Sequence, residues 1–415
     1  MVPHVGIIGA GVSGLRCATV LIEQGFDVTI IEARDRIGGR IAQSDQMGPL
    51  EVDIGANWVH STGYNPIIEL AKETGTPLHR WKDCLLLIDH NGSIVAPAEA
   101  SKALKQVWEI LEEAIEHSTN NSASIKSAAS LYSFFQQMCS RALERREMTE
   151  RDVELVLGMS QMWGAYVGDR VEVQSLKYFY LEDCIDGGSY RKILARISET
   201  PLAKAHIHFN TILIEFPTAF WDTATTDAGG ESKKPVSFVH WLSPSYATQT
   251  NPQRWRLECV SFHAFPETYR RNILLFYTYG DCSTHVTRSI SGLRDEARDT
   301  WLRRFFEPYY SRLPGYGKDC APLRILATEW CNDEFAGNGS YSNFQIGMPD
   351  AAHDVEAIRH GMPEQHIYFA GEHTAPFDGL GTVAGAYTSG EKVARRMIQA
   401  RQHTEVAKDG GTTDP

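Results

Sequence analysis

The stretch at residues 4–32, HVGIIGAGVSGLRCATVLIEQGFDVTIIE, constrains this chain more than any other. A short apolar run, Val5 to Ile8, meets Gly9-Ala10-Gly11-Val12-Ser13-Gly14, and a helical stretch from about Ser13 to Gln24 follows. Gly25 stops that helix, and a second apolar run, Asp27 to Ile31, ends on Glu32. Each piece has a task in holding a dinucleotide. Gly9 permits the tight turn, Gly11 lets backbone amides approach a pyrophosphate, and Gly14 allows close packing of helix on strand. The helix start, at about Ser13, puts a partial positive charge where the diphosphate sits. Glu32 can accept hydrogen bonds from ribose hydroxyls, and its charge repels a 2′-phosphate, which disfavours NADP. The expectation is an α/β chain that opens with a Rossmann-like nucleotide-binding domain.

Composition narrows the partners. With 415 residues the chain can bury a sizeable core and form two or three interleaved domains. Forty basic against 52 acidic residues give a net charge of -12, which argues against nucleic acid and anionic membranes. The eight cysteines are scattered, with no CxxC and no paired histidine spacing, so no metal site is expected. No apolar run reaches membrane-spanning length, and no secretory segment precedes the first motif. A cytoplasmic protein follows as the expectation. Oligomeric state is not legible.

The residues after Glu32 point to one cofactor. Ala33-Arg34-Asp35-Arg36-Ile37-Gly38-Gly39-Arg40 adds a basic, glycine-bearing loop, in which Arg40 can reach diphosphate oxygens as a bidentate donor. Together, GIIGAGVSGL and IIEARDRIGGR resemble the N-terminus of the flavin-containing amine oxidase family, its polyamine oxidases included. Residues 53–60, DIGANWVH, resemble that family's next flavin-contacting segment. The resemblance implies non-covalent FAD in a Rossmann-like (GR2-type) domain with an inserted α+β substrate domain. It places Ala33, Arg34, Gly39 and Arg40 at the cofactor, and Gly55, Ala56, Asn57 and Trp58 along the isoalloxazine. His60 would face the substrate; it suits a substrate nitrogen or a water, and equally a structural role.

The far end carries a matching motif. Residues 367–398, IYFAGEHTAPFDGLGTVAGAYTSGEKVARRMI, read as a strand from Ile367 to Ala370, then Gly371-Glu372, a loop, and a helix opening near Thr382. Amides of Thr382 and Val383 would point toward the flavin, where a helix N-terminus favours the negative charge of the reduced ring. By resemblance Gly371 and Glu372 contact the ribitol chain. Residues 327–344, ATEWCNDEFAGNGSYSNF, resemble the segment beneath the flavin, with Trp330 near the ring and Tyr341 as a wall of an aromatic substrate slot. Ordinary core packing is the other reading of both aromatics. Monoamine oxidases carry a flavin-bonded cysteine just before that tyrosine; here the residue is Ser340, and Thr382 stands near the place of their second cage tyrosine. Both departures resemble polyamine oxidases.

One family feature has no counterpart. After Asp186-Gly187-Gly188-Ser189-Tyr190 the chain passes through Asn210 directly into Thr211-Ile212-Leu213-Ile214-Glu215, so a second flavin-binding hairpin and a Pro-Leu-Gly-x-Leu-Lys motif are missing. A short functional variant, a poorly folding truncation and a repurposed flavoprotein all remain open. The expected organisation is a first FAD-domain part at 1–80, a helical part of the substrate domain at 81–180 and a shortened return to the FAD domain at 181–210. The substrate-domain sheet and helices follow at 211–345, the last FAD-domain part at 346–400 and a disordered tail at 401–415. Apolar residues at helical spacing predict helices over 101–118 and 129–146, with another over 149–162 behind a Thr149 cap. The leading function is oxidation of a C–H next to nitrogen in a polyamine or secondary amine, with O2 as acceptor. Alternatives are a dehydrogenase or desaturase of secondary metabolism, and a non-catalytic flavoprotein. Tyr341, Trp330 and His60 are the candidate catalytic residues.

Overall fold

The computed structural model describes residues 2–48, 51–59, 65–78, 84–181, 211–222, 235–336 and 339–409. The opening unit forms as the sequence predicts: β1 (His4–Ile8), α1 (Val12–Glu23) and β2 (Asp27–Ile31). The two strands pair in parallel, with His4 opposite Asp27 and Ile8 opposite Ile31. Gly9 takes a φ of 98°, a conformation open to glycine. A Cβ on Gly14 would lie 2.1 Å from the Gly9 carbonyl oxygen, so only glycine lets α1 pack this close. A short hairpin, β3 (Gln43–Ser44) with β4 (Val52–Asp53), and α2 (Pro66–Glu73) complete this side.

The next segment holds β5 (Leu85–Ile88), α3 (Pro97–Asn121), α4 (Leu131–Glu144), α5 (Glu150–Ser160) and α6 (Trp163–Val167). Apolar spacing predicted the three long helices, whose inward faces bury Val107, Leu111, Phe135 and Leu155 together. Helix α5 opens with a reciprocal capping box. The Asp152 N–H donates to Thr149 Oγ1 at 3.1 Å, and the Thr149 N–H donates to the Asp152 carboxylate at 2.8 Å. Lys102 Nζ, 2.6 Å away, and the cap together hold the Asp152 carboxyl down to about 2. That stabilisation is complete above the ordinary aspartate range near ~4 and is lost as pH falls through the folded value. Thr149→Ala is expected to cost about 1 kcal/mol, read as a lower urea midpoint with an unchanged slope.

A six-stranded sheet forms the substrate side, from β6 (Thr211–Glu215), β7 (Phe238–Trp241), β8 (Leu257–Ser261), β9 (Ile273–Tyr277) and β10 (Arg324–Ala327) together with β5. Its order is β10-β6-β9-β8-β7-β5, antiparallel except for the β7–β5 edge. Strand β5 comes from the stretch expected to be helical. The apolar run Leu85 to Ile88 is only four residues long, too short for a helix, and it closes the sheet edge. Helices α7 (Gly280–Ile290) and α8 (Asp295–Tyr310) cover one face, burying Trp241, Phe276, Phe306 and Tyr309. Strand alternation turns Leu213, Val260, Leu275 and Tyr277 to the other face, against Val52, Trp58 and Ala165.

After α9 (Ala351–His360) the chain reaches α10 (Val383–Asp409). Helix α10 lies along α1: Ser13 Oγ donates to the Ala386 carbonyl at 2.8 Å, and Arg16 pairs with Glu391. A Cβ on Gly390 would meet the Ser13 carbonyl oxygen at 2.1 Å, so small residues set this spacing too. Two expectations need correction. Residues 367–370 form no ladder strand; among the described residues only the Met362–Ile367 bridge engages them. An apolar run becomes a strand only where a neighbour takes its N–H and C=O groups. The tail expected from residue 401 is instead helical through Asp409, as an extension of α10.

Candidate functional site

The glycine loop, the N-terminal ends of α1 and α10, the loops at 38–41 and 370–373, and Phe335, Ser340 and Tyr341 surround a cleft of about 320 Å³. From the opening motif Gly9, Gly11, Ser13, Gly14 and Arg40 line it. From farther along come Ala56, Tyr341, Gly371, Glu372, Thr382 and Val383. Two helix N-termini at one cleft suit an anionic diphosphate. The cradle fits FAD: among the described residues, a Cβ added at Gly11 would have within 4 Å only Gly39 Cα, at 4.0 Å, so the backbone there lies open to the cleft.

Glu372 ties the cleft together. It is buried, and its carboxylate accepts from Arg40 Nη1 at 2.5 Å, from both the N–H and Oγ of Ser342 at 3.2 Å, and from the Gly381 N–H at 3.0 Å. Arg40 Nη1 also donates to the Ser340 carbonyl at 2.8 Å. That nitrogen is spent on protein, so contact with a diphosphate falls to the remaining N–H groups of Arg40. Thr382 caps α10 by accepting the Gly385 N–H at 2.9 Å, which fixes the helix start at the cleft.

Other expected residues serve the loop rather than the cleft wall. Glu32 accepts the N–H groups of Ala10 at 2.9 Å and Arg34 at 3.1 Å, linking the end of β2 to the glycine turn. Arg34 pairs with Asp333 and lies over the Phe335 ring. Ala33 and Gly39 line neither this cleft nor the cavity beside it. Arg36, to which the sequence assigned no role, donates Nη1 to the carbonyls of Ile37, Gly39 and Ile41 at 3.0–3.2 Å and so shapes the loop carrying Arg40.

A second cavity of about 110 Å³ adjoins the cleft, and the two share Ala56, Tyr341, Gly381, Thr382 and Val383. Its walls are largely aromatic: Trp58, Trp163, Tyr166, Tyr277 and Tyr341. Tyr341 reaches it and donates its hydroxyl to the Tyr166 carbonyl. Trp58 Nε1 and Asn57 Nδ2 donate to the Tyr277 hydroxyl at 3.0 and 3.2 Å, and burial pushes that phenol up. Trp330 is not brought here. It is buried elsewhere, with its indole N–H on the Ile54 carbonyl at 3.2 Å, and lines neither cavity. His60 lies outside the described residues. Trp163, Tyr166 and Tyr277 are absent from the sequence-derived site.

A glycine cradle under two helix N-termini, opening on an aromatic cavity beside a mixed sheet, defines an FAD-binding oxidoreductase with an inserted substrate domain. The sequence profile of the flavin containing amine oxidoreductases matches residues 12–215 and 208–398, and the chain belongs to that family. Its class of chemistry is FAD-dependent amine oxidation. Probable polyamine oxidase 4 of Arabidopsis thaliana is 24% identical, over 94% of this chain and 85% of that protein. Lysine-specific histone demethylase 1 homolog 1 of the same plant is 34% identical over 96% of this chain, which spans 52% of that longer protein. The solved structure of cyclohexylamine oxidase from Brevibacterium oxydans IH-35A shares the fold, with a TM-score of 0.64 at 16% identity, covering 97% of this chain and 99% of that one. The two profile stretches meet at 208–215, and the alignment to polyamine oxidase 4 runs to 452 positions against 415 residues here. Gaps therefore fall within this chain. Among the described residues, no helix is long and apolar enough to cross a membrane, and no group of three or more His, Cys, Asp or Glu residues could hold a metal.

Proposed function

We propose that the protein oxidises a polyamine or secondary amine with O2 as electron acceptor. The amine loses the hydrogen of a C–H next to nitrogen and one proton, O2 becomes H2O2, and the resulting imine hydrolyses in water. FAD, when bound, supplies the hydride-accepting chemistry. The protein supplies orientation and a dry, aromatic enclosure. The observation that carries this reading is the shared wall: Tyr341 and Thr382 border both the cofactor cleft and the aromatic cavity, so a substrate there adjoins the cofactor. Aromatic faces attract an amine's charge. Relatives named polyamine oxidase, from Arabidopsis thaliana and Oryza sativa, support the amine class.

The profile match falls into two stretches that overlap at 208–215, and this split keeps one rival, a flavoprotein that binds FAD without turning over. Anaerobic addition of spermine and simple amines to the desalted flavoprotein separates the two. Bleached flavin bands, with peroxide on readmitting air, support the oxidase; bands that persist with every amine support the rival. Tyr341→Ala is expected to lower kcat/KM by roughly tenfold, a larger loss than that of bound flavin. Unchanged kinetics would remove Tyr341 from the substrate's path.

A further inference from the structure

One acidic side chain stands in the wall of the aromatic cavity. Among the described residues that line it, Glu258 is the single ionisable group apart from tyrosine hydroxyls. It sits on β8 at 2% exposure, in a polar row across the sheet: His240 on β7, Glu258, Tyr277 on β9 and Thr211 on β6. His240 Nδ1 is 3.2 Å from Glu258 Oε2 but off hydrogen-bond alignment, and that oxygen has no hydrogen-bond partner among the described residues. A buried carboxyl without a hydrogen-bonded cation is costly to keep in a fold.

We infer that Glu258 is the specificity-determining anchor for the substrate's positively charged nitrogen, selecting ammonium-bearing ligands over neutral molecules of the same shape. This rests on the amine reading above and assigns the residue that would enforce it. An aromatic cavity with one carboxylate in its wall presents one negative charge and several ring faces, and a cation satisfies both. Burial raises the Glu258 carboxyl well above the usual range, which favours its protonated form until a cation lies against it. One positive charge, Arg256, precedes Glu258 by two residues and acts on the same Tyr279 phenol, but among the described residues it forms no ion pair with Glu258. Burial lowers His240 to about 3, and Tyr277, Tyr279 and Cys259 are all pushed up and uncharged. Arrival of a cation then favours the carboxylate, and the proton leaves to solvent.

The test is calorimetry of the holoprotein at pH 6 with tetramethylammonium and 1,4-diaminobutane, in two buffers of different ionisation enthalpy. Tetramethylammonium has no N–H, so any released proton comes from the protein. Net proton release is expected for the wild type and none for Glu258→Gln, whose affinity falls by roughly tenfold or more. Because a glutamine in this row can disturb the sheet, the wild type is also titrated with 1,4-butanediol, a neutral molecule of similar shape to 1,4-diaminobutane; binding of the diol as tight as that of the diamine overturns the inference. Equal affinity in Glu258→Gln also overturns it, while leaving amine oxidation standing if amines bleach the wild-type flavin. Failure of every amine to bind or bleach the wild type overturns both readings.

Discussion

Gly11→Val is expected to give a protein that folds and melts like the native apoprotein but carries no FAD. Gly11 lies at φ -71°, ψ 174°, a backbone any residue adopts. Its added Cβ meets Gly39 Cα at 4.0 Å, an ordinary contact. Among the described residues nothing crowds the added Cβ, whereas the new methyls take up space in the cleft that suits a diphosphate. Gly14→Val is the contrast. There the Cβ would lie 2.1 Å from the Gly9 carbonyl oxygen and 3.2 Å from Ile7 Cγ2, so α1 must move off β1. Overpacking of this kind costs about 1–3 kcal/mol, and backbone crowding puts it at the upper end. Flavin absorbance per mole of protein, with thermal melts of the apoproteins, separates the two. Full flavin content in Gly11→Val would place the diphosphate somewhere other than this loop.

Glu372→Ala carries the other large effect. The carboxylate gathers Arg40, Ser342 and Gly381, three points far apart in sequence, and its loss removes the charged partner of Arg40 and strands two backbone N–H groups. Removing one member of a buried pair costs 3–5 kcal/mol in fully enclosed sites; the Arg40 side chain is 23% exposed, so about 2–4 kcal/mol is expected here. Flavin retention should fall with it, since Ser340 and Tyr341, held by the same network, line the cleft. Glu372→Gln keeps an acceptor oxygen and should recover part of both. A Glu372→Ala protein with the native urea midpoint and full flavin would show that the loops hold themselves.

The readable part of this molecule is the part whose constraints are local. Strand, turn, helix, strand and acid in the opening unit follow one another without a break, and each is imposed by neighbours in the chain: Gly9 by its φ, Gly14 by contact with Gly9, Gly25 by its φ of 77° after α1. Helices α3, α4 and α5 announced themselves by apolar spacing, and α5 by its Thr149 cap. The match between the two ends of the chain was legible as well, because each end carried its own motif. Trp330 shows the limit. Its motif resembled a flavin-side segment, yet its burial and indole hydrogen bond are those of a core residue.

What the sequence alone determined is the cofactor cradle, the helical block and the family. What tertiary structure decided is everything assembled across strands and between distant loops. Strand β5 became a sheet edge only because β7 was there to pair with it. His240, Glu258 and Tyr277 form one row because β7, β8 and β9 are neighbours in this register, and a slip of one residue would turn each to the opposite face. Arg40 and Glu372 are 332 residues apart and meet because α10 packs on α1. Spacing along the chain encodes a turn or a helix face. It does not encode which strands become neighbours, since that is settled by burying the sheet's two apolar faces at once.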